Sequence, residues 1–457
     1  MATEIQQLSD LIAASVSTLL RACQDCNTPF PDPNQPLTPQ SEAFRASQVA
    51  IDATNIIAAA ALQLAARVLP PHTSLMNIVS GLYKSAALRT AVELNVTEIL
   101  REAGPQGMHI DDIAKICNVD GNKLGEEVTP DAFANTRISA VLDTGKSVAD
   151  ILENPEDKHE GTSGLVAFVE EYIGDGAKYS SQLLENIKDP ITGRSSEPNH
   201  AAFNRACGVD IPLWLWYETQ EQKYRRRRFA ISMHGIAQMQ PSDLLDDVLD
   251  WKALPRGSVV VDVGGGIGTS SLAVSKENNH LQFVVQDLPT ICAEAIAYWS
   301  NQSPEVINTG KLSFTPHDFF TPQPVANASV FILKQVLHDW SDPYCARILK
   351  ELRAAATPET KLVVVDSIIA YACHDPTTGS GLNSGYKEAP APLLPNYGTA
   401  NITPYLVDLA LMVWCNAQER TIGQLDALLR SSGWRIVSAN RRSPPSNFYE
   451  PVVAIPI

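Results

Sequence analysis

Apolar residues recur at helical spacing near the start of the chain, at Leu8, Leu11, Ile12, Val16, Leu19 and Leu20. They predict a helix over 6–22. A proline-rich break follows between Pro29 and Pro39, and helical patterning resumes over 43–69. Pro70-Pro71 stops it, because proline has no amide hydrogen for the next helical bond. Two further helices are predicted over 74–88 and 91–101. This half has no strand running into a glycine turn and a helix, so residues 1–224 read as a mainly helical domain.

The pattern then changes. Strand-like apolar runs over 258–263, 281–286, 311–316, 329–333 and 361–366 alternate with helical runs. Such alternation predicts an α/β domain over 225–457, with a mostly parallel sheet and helices on both faces. Residues 371–404 are rich in Pro, Gly, Ser and Asn and have no period, as in a long excursion loop. Helices over 404–415 and 421–431 follow, the second stopped by Gly433.

Length and charge narrow the classes. A chain of 457 residues exceeds one ordinary core, in keeping with two domains. The net charge of −16 argues against nucleic acid and anionic membrane surfaces, which need Lys and Arg. The start carries Glu4 where a secretory leader carries base. The most apolar stretch, 56–69, contains Gln63 and Arg67 and reads as too short for a bilayer. A cytoplasmic protein is expected. Cys23 and Cys26 form a lone pair without a second pair in metal-ligand spacing, so reduced thiols are expected. The basic run 223–228 reads as a solvated helix face or a contact to acidic neighbours.

The sharpest local signal is 259–268. A buried strand ends at Val263, and Gly264, Gly266 and Gly268 follow at once. Glycines there let backbone N–H groups approach a ligand. The spacing departs from that of a dinucleotide loop, whose third glycine comes one residue later. Asp287 ends the next strand, where a carboxylate can accept both hydroxyl protons of a ribose.

Beyond this loop the sequence resembles the S-adenosylmethionine (SAM)-dependent O-methyltransferases of the caffeic-acid and hydroxyindole type, in their fungal branch. The matching stretches are 260–268, Val285-Gln-Asp-Leu-Pro289, His317-Asp-Phe-Phe320, 333–342 and Asn416-Ala-Gln-Glu-Arg-Thr421. The resemblance implies a Rossmann-like SAM-binding domain behind a winged-helix-like dimerisation domain, and hence a homodimer. It implies SAM as cofactor, with Gly264 and Gly266 under its methionine part, Asp287 and Leu288 at the ribose, Asp318 and Phe319 at the adenine, and Lys334 nearby. His338 matches the catalytic base, flanked by Asp366 and Glu419. Many relatives carry Glu where Asp366 stands. The winged-helix segment looks short by one helix near Gly125.

The implied chemistry is displacement of a methyl group from a sulfonium by a hydroxyl oxygen of a small acceptor. A phenol (pKa about 10) is a weaker acid than imidazolium (about 6.5), so proton loss should accompany C–O bond formation, with His338 as base and no metal. Asp339 is expected to stand apart from the ring, since adjacent residues on a helix diverge. Tyr405, Leu411, Met412, Trp414, Cys415, Trp214, Trp216, Met233 and His234 are candidates for the acceptor pocket, or for core. Two alternatives remain: a SAM-binding enzyme of the same architecture that catalyses a pericyclic or other non-methylating step, and an inactive SAM-binding partner.

Overall fold

The computed structural model describes residues 2–32, 37–119, 132–240, 244–441 and 449–457. The segment around Gly125, where a helix was expected to be missing, lies outside the described residues.

Two compact units emerge. One comprises Met1–Lys178 with Thr219–Met239, the other Tyr179–Glu218 with Gln240–Ile457. A single cut at 224/225 therefore does not describe the compaction, and side-chain packing explains why. Tyr179 meets Phe203 and Trp414 edge to face at 5.2 and 5.8 Å. The Asn416 amide donates to the carbonyls of Ser195 and Glu197 at 2.9 and 3.0 Å. The segment 179–218 thus packs with the helix Thr403–Cys415. The basic helix Lys223–Gln238 goes the other way. Its Arg228 pairs with Glu171 and Asp175, and its Arg227 with Asp157 and Glu160.

In the first unit, α1 (Ala2–Asp25) and α2 (Gln48–Val68) form a hairpin. Small residues let the two helices approach: Ala50 and Ala53 of α2 meet Leu19, Ala22 and Cys23 of α1, with Phe44 closing the end. At 21 residues, α2 is longer than the apolar run that announced it. By length and composition it is long and apolar enough to cross a membrane, contrary to the expectation from 56–69 alone, and 22% of its apolar window is buried. Pro70 ends α2, and Pro71 opens α3 (Pro71–Val79), since a proline in a first helical turn forfeits no hydrogen bond. The helix expected over 74–88 is split between α3 and α4 (Gly81–Glu93). Leu75, Met76, Ile78, Val79, Leu82 and Tyr83 on these two helices are all exposed. Helices α5 (Val96–Ala103) and α6 (Ile110–Cys117) accompany a short antiparallel ribbon of β1 (Met108–His109) and β2 (Ala132–Phe133). Ile99, Leu100, Ile113 and Val148 form their core.

A buried ionic cluster lies in this unit. Glu170 accepts from Lys158 Nζ on Oε1 and bonds the His159 ring on Oε2, both at 2.8 Å. Lys158 also donates to the Val92 carbonyl at 2.7 Å.

The second unit carries a seven-stranded sheet. Its strands are β3 (Val259–Val263), β4 (Gln282–Asp287), β5 (Leu312–Pro316), β6 (Ala328–Lys334), β7 (Lys361–Asp366), β8 (Trp434–Ala439) and β9 (Glu450–Pro456). Their order is β5-β4-β3-β6-β7-β9-β8, with β3 to β7 parallel and β9 antiparallel to both neighbours. This is the mostly parallel sheet that the alternation predicts. Continuous valine and isoleucine runs suit it because both faces are covered. Val261, Val263, Phe331, Leu333 and Val364 join one layer, and Val260, Ile332, Val363 and Val365 the other.

Candidate active site

The carboxyl ends of β3, β4, β6 and β7 share one edge of the sheet, and the sequence-predicted residues lie there or in the loops beyond. After Val263 the chain turns through Gly264 at φ +70°, where a Cβ would meet Val336 at 2.9 Å. The Gly264 N–H donates to the Gln286 carbonyl at 2.8 Å, tying the loop to β4. Gly266 also has positive φ, at +58°, and a Cβ there would face open space. Its N–H donates to Asp287 Oδ2, and the Leu288 N–H to Asp287 Oδ1, both at 2.8 Å. Burial raises the Asp287 pKa, partly offset by these two N–H groups. Asp318 is exposed and accepts from the Phe320 N–H at 2.9 Å. The Phe319 ring comes within 3.7 Å of a Cβ built on Gly264 and packs edge-on to Trp340 at 5.8 Å.

Lys334 ends β6. Its ammonium donates to Gln335 Oε1 at 3.0 Å and lies 5.9 Å from the Tyr449 ring centre. Burial lowers its pKa, opposed by the charges of Asp262 and Asp366. Gln335 adopts φ +55°, an unusual conformation for a residue with a side chain. Its amide donates to the Tyr449 hydroxyl at 2.6 Å. The chain then makes one 3-10 turn, Leu337–Asp339.

His338 sits on that turn, buried. Its Nδ1 lies 2.9 Å from Glu419 Oε1, and a carboxylate can only accept, so Nδ1 carries the hydrogen. Burial alone would lower the His338 pKa. The charges of Glu419, Asp339 and Asp366 outweigh it and push the ring up to about 10. Glu419 is held in turn by its own N–H, which donates to Asp408 Oδ1 at 2.8 Å. Just before it, the helix Thr403–Cys415 ends at Asn416 in the left-handed region (φ 54°), and just after it Thr421 caps the next helix with Gln424. Residues 416–421 are thereby a stiff connection rather than a loose loop.

Asp366 ends β7, buried, and no hydrogen bond joins it to the imidazole. Its Oδ1 and Glu419 Oε2 are buried without a hydrogen-bond partner among the described residues. Burial raises Asp366 to about 6. The structure therefore joins His338 to Glu419 directly and to Asp366 only through the field of its charge. Asp339 departs from expectation: its Oδ1 lies 3.6 Å from His338 Nε2. The 3-10 turn opens into extended backbone at Trp340 (φ −134°, ψ 145°), so neighbouring side chains are not spread as on an α-helix. Burial raises Asp339 to about 7.

Sequence reasoning considered Asp339 and set it aside, and missed Tyr449 and Arg420. Arg420 left a signal, as a charge inside a motif otherwise read for its neighbour Glu419. Of the acceptor-pocket candidates, Trp414, Cys415 and Trp216 are core. The Tyr405 hydroxyl donates to the Ala370 carbonyl at 2.6 Å. Met233 and His234 belong to the other compact unit.

Comparison with known proteins identifies the family. The O-methyltransferase domain family matches residues 185–385. A 4-O-methyltransferase of Phanerochaete chrysosporium is 39% identical over 471 aligned positions, covering 100% of both chains. The chain belongs to the SAM-dependent O-methyltransferases. Among solved structures, human N-acetylserotonin methyltransferase in complex with SAM aligns with a TM-score of 0.59 at 19% identity, covering 85% of this chain and 99% of that one. A pericyclic reaction enzyme aligns with a TM-score of 0.65 at 16% identity, covering 98% and 100%. At these identities both likenesses speak for the fold.

The methyltransferase's cofactor is SAM, and the loop residues fit it. Gly266 leaves open space beside an acid already oriented by two N–H groups, which keeps lone pairs for ribose hydroxyls. Phe319 places a ring carbon close to the same loop.

Proposed function

We propose that this methyltransferase transfers a methyl group to a phenolic hydroxyl of a small aromatic acceptor, with His338 as the base. The observation that carries the reading is the 2.9 Å bond between His338 Nδ1 and the buried Glu419 carboxylate. It holds a hydrogen on Nδ1, so in the neutral ring Nε2 is the nitrogen left to accept a proton. Gly264, Gly266, Asp287, Leu288, Asp318, Phe319 and Lys334 hold the cofactor, with Asp287 at the ribose and Phe319 against the adenine.

When bound, SAM supplies a methyl group on a positively charged sulfonium. His338 is held protonated in the free protein, so it must first release a proton to solvent. A second positive charge at the site favours that release, and the surrounding acids disfavour it. Neutral Nε2 then takes the acceptor's proton as the oxygen forms its bond to carbon, and Glu419 stabilises the resulting imidazolium.

The acids on both sides of the ring, Glu419 at Nδ1 and Asp339 near Nε2, also favour a second reading, in which His338 acts as an acid or fixed cation in a non-methylating rearrangement. A panel of phenols incubated with methyl-labelled SAM separates the two. Labelled product supports transfer. SAM binding by calorimetry without any labelled product, together with isomerisation of a polyene or quinone-methide precursor, would overturn it. Asp287→Ala should weaken SAM binding by about 1.5–3 kcal/mol, the worth of hydrogen bonds to a charged group.

For assembly, we read the exposed apolar residues of α3 and α4 as the contact to a second copy, with α5, α6 and the β1–β2 ribbon as a winged-helix-like element beside it. Ile78 and Tyr83 are 76% and 71% exposed. Their side chains favour a protein partner over solvent. Light scattering returning a monomer mass at micromolar concentration would refute this. A cytoplasmic location, without nucleic-acid or membrane partners, completes the reading.

A further inference from the structure

Residues 419 and 420 act on the same turn from two sides. Glu419 bonds the His338 ring, while the Arg420 guanidinium bonds the backbone around it. Arg420 Nη1 donates to the Leu337 carbonyl at 2.9 Å, and Nη2 to the Trp340 carbonyl at 2.8 Å. Nε and Nη2 also reach Asp342 Oδ1 at 2.9 and 2.8 Å, and Nη2 lies 3.4 Å from Cys345 Sγ. The side chain is 4% exposed. The Arg420 carbonyl accepts from the Ile369 N–H at 3.0 Å, just beyond the strand that ends in Asp366. One residue thus connects the end of β7, the Glu419 segment and both ends of the His338 turn. A planar fork with five donors suits this, whereas a lysine offers one compact ammonium.

We propose that Arg420 is a positioning residue for methyl transfer, clamping the Leu337 and Trp340 carbonyls so that the His338 ring stays on Glu419. The proposal rests on His338 being the base. Misplacement of a reacting group by about 1 Å costs on the order of 10²-fold in rate. Arg420→Lys keeps the charge and loses the fork, so kcat should fall by about 10–100-fold while the SAM dissociation constant stays within about twofold. The pH profile of kcat should shift, and the imidazole nitrogen resonances of His338 should move. Combining Arg420→Lys with His338→Gln should add little to the loss from His338→Gln alone.

Unchanged kcat in folded Arg420→Lys, or losses of SAM affinity and thermal stability that account for the lost rate, overturn the proposal. If Arg420→Lys does not fold, Asp342→Asn decides. Asp342 is 58% exposed and anchors the same guanidinium, so its loss should reproduce the resonance shift with a smaller effect on kcat. An unmoved resonance there overturns the clamp. If His338→Gln retains full activity, the base assignment fails, and the resonances still report whether Arg420 holds the ring.

Discussion

Among the described residues, two buried histidine–glutamate pairs have nearly equal length and differ in character. His159 and Glu170 stand 2.8 Å apart, His338 and Glu419 2.9 Å. Around Glu170 both carboxylate oxygens are bonded, one to Lys158 and one to the His159 ring, although the far ring nitrogen, His159 Nδ1, has no partner among the described residues. Although burial works against it, the His159 bond and the Lys158 charge bring Glu170 down to about 2. Around His338 the acids outnumber the bases. Glu419 Oε2 and Asp366 Oδ1 lack partners among the described residues, and Asp339 and Asp366 hold their protons more tightly than free acids do. A buried carboxylate with both oxygens bonded to cationic or ring donors fastens a fold. Buried carboxylates left with an unbonded oxygen beside a histidine gather where protons are moved. A histidine beside a glutamate is therefore uninformative until its remaining lone pairs are accounted for.

This contrast can be broken in four ways, in descending order of effect. His338→Gln should lower kcat by about 10²–10⁴-fold, with SAM affinity of the folded protein near wild type by calorimetry. Glu170→Gln should act on the fold and not on the reaction. Lys158 would be left as a buried cation without its counter-charge, costing about 3–5 kcal/mol of folding stability in urea titrations, while turnover per folded molecule is kept.

The stability–pH curves should also separate. Glu170 has a folded pKa below its unfolded value of 4.5, so its contribution is present above pH 4.5 and lost as pH falls through about 2. His338 has a folded pKa above its unfolded value of 6.5. Its contribution is complete below pH 6.5 and disappears as pH rises through about 10. Denaturation midpoints across both ranges should show Glu170→Gln flattening only the acid limb and His338→Gln only the alkaline one.

The smallest effect is expected from Asp366→Asn. Its carboxylate is disfavoured by burial, so removing the charge should leave stability in urea titrations unchanged or raised. Loss of a negative charge near the ring should lower the His338 pKa, as read by NMR titration. An Asp366→Asn variant that unfolds would make the two clusters alike.

The sheet was largely readable from sequence because parallel strands covered on both faces are written as continuous apolar runs. Val259 to Val263 and Lys361 to Asp366 emerge within a residue or so of where they were expected. The glycine loop was readable for a similar reason, since positive φ at Gly264 and Gly266 leaves few residue choices. The turn at 337–339 was not. The carbonyls at its two ends, Leu337 and Trp340, are bonded by Arg420 from 80 residues further on, and no local pattern records such a contact. The division of the chain into units was hidden too. The tie from Asn416 to Ser195 and Glu197 joins segments more than 200 residues apart. The split of 74–88 into α3 and α4 has no proline or helix cap to mark it; Ser80 makes no side-chain cap.

The strand order β5-β4-β3-β6-β7 has a consequence for how such enzymes diversify. From β3 the sheet grows first to one side, through β4 and β5, and then to the other, through β6 and β7. Loops leaving β3 and β6 therefore part in opposite directions, and the cleft between them follows from the winding of the chain rather than from any particular side chain. Lineages can rewrite the long excursion beyond β7, where insertions meet little resistance, without disturbing that cleft. Divergence in acceptor and even in reaction type on an unchanged framework is what such winding permits.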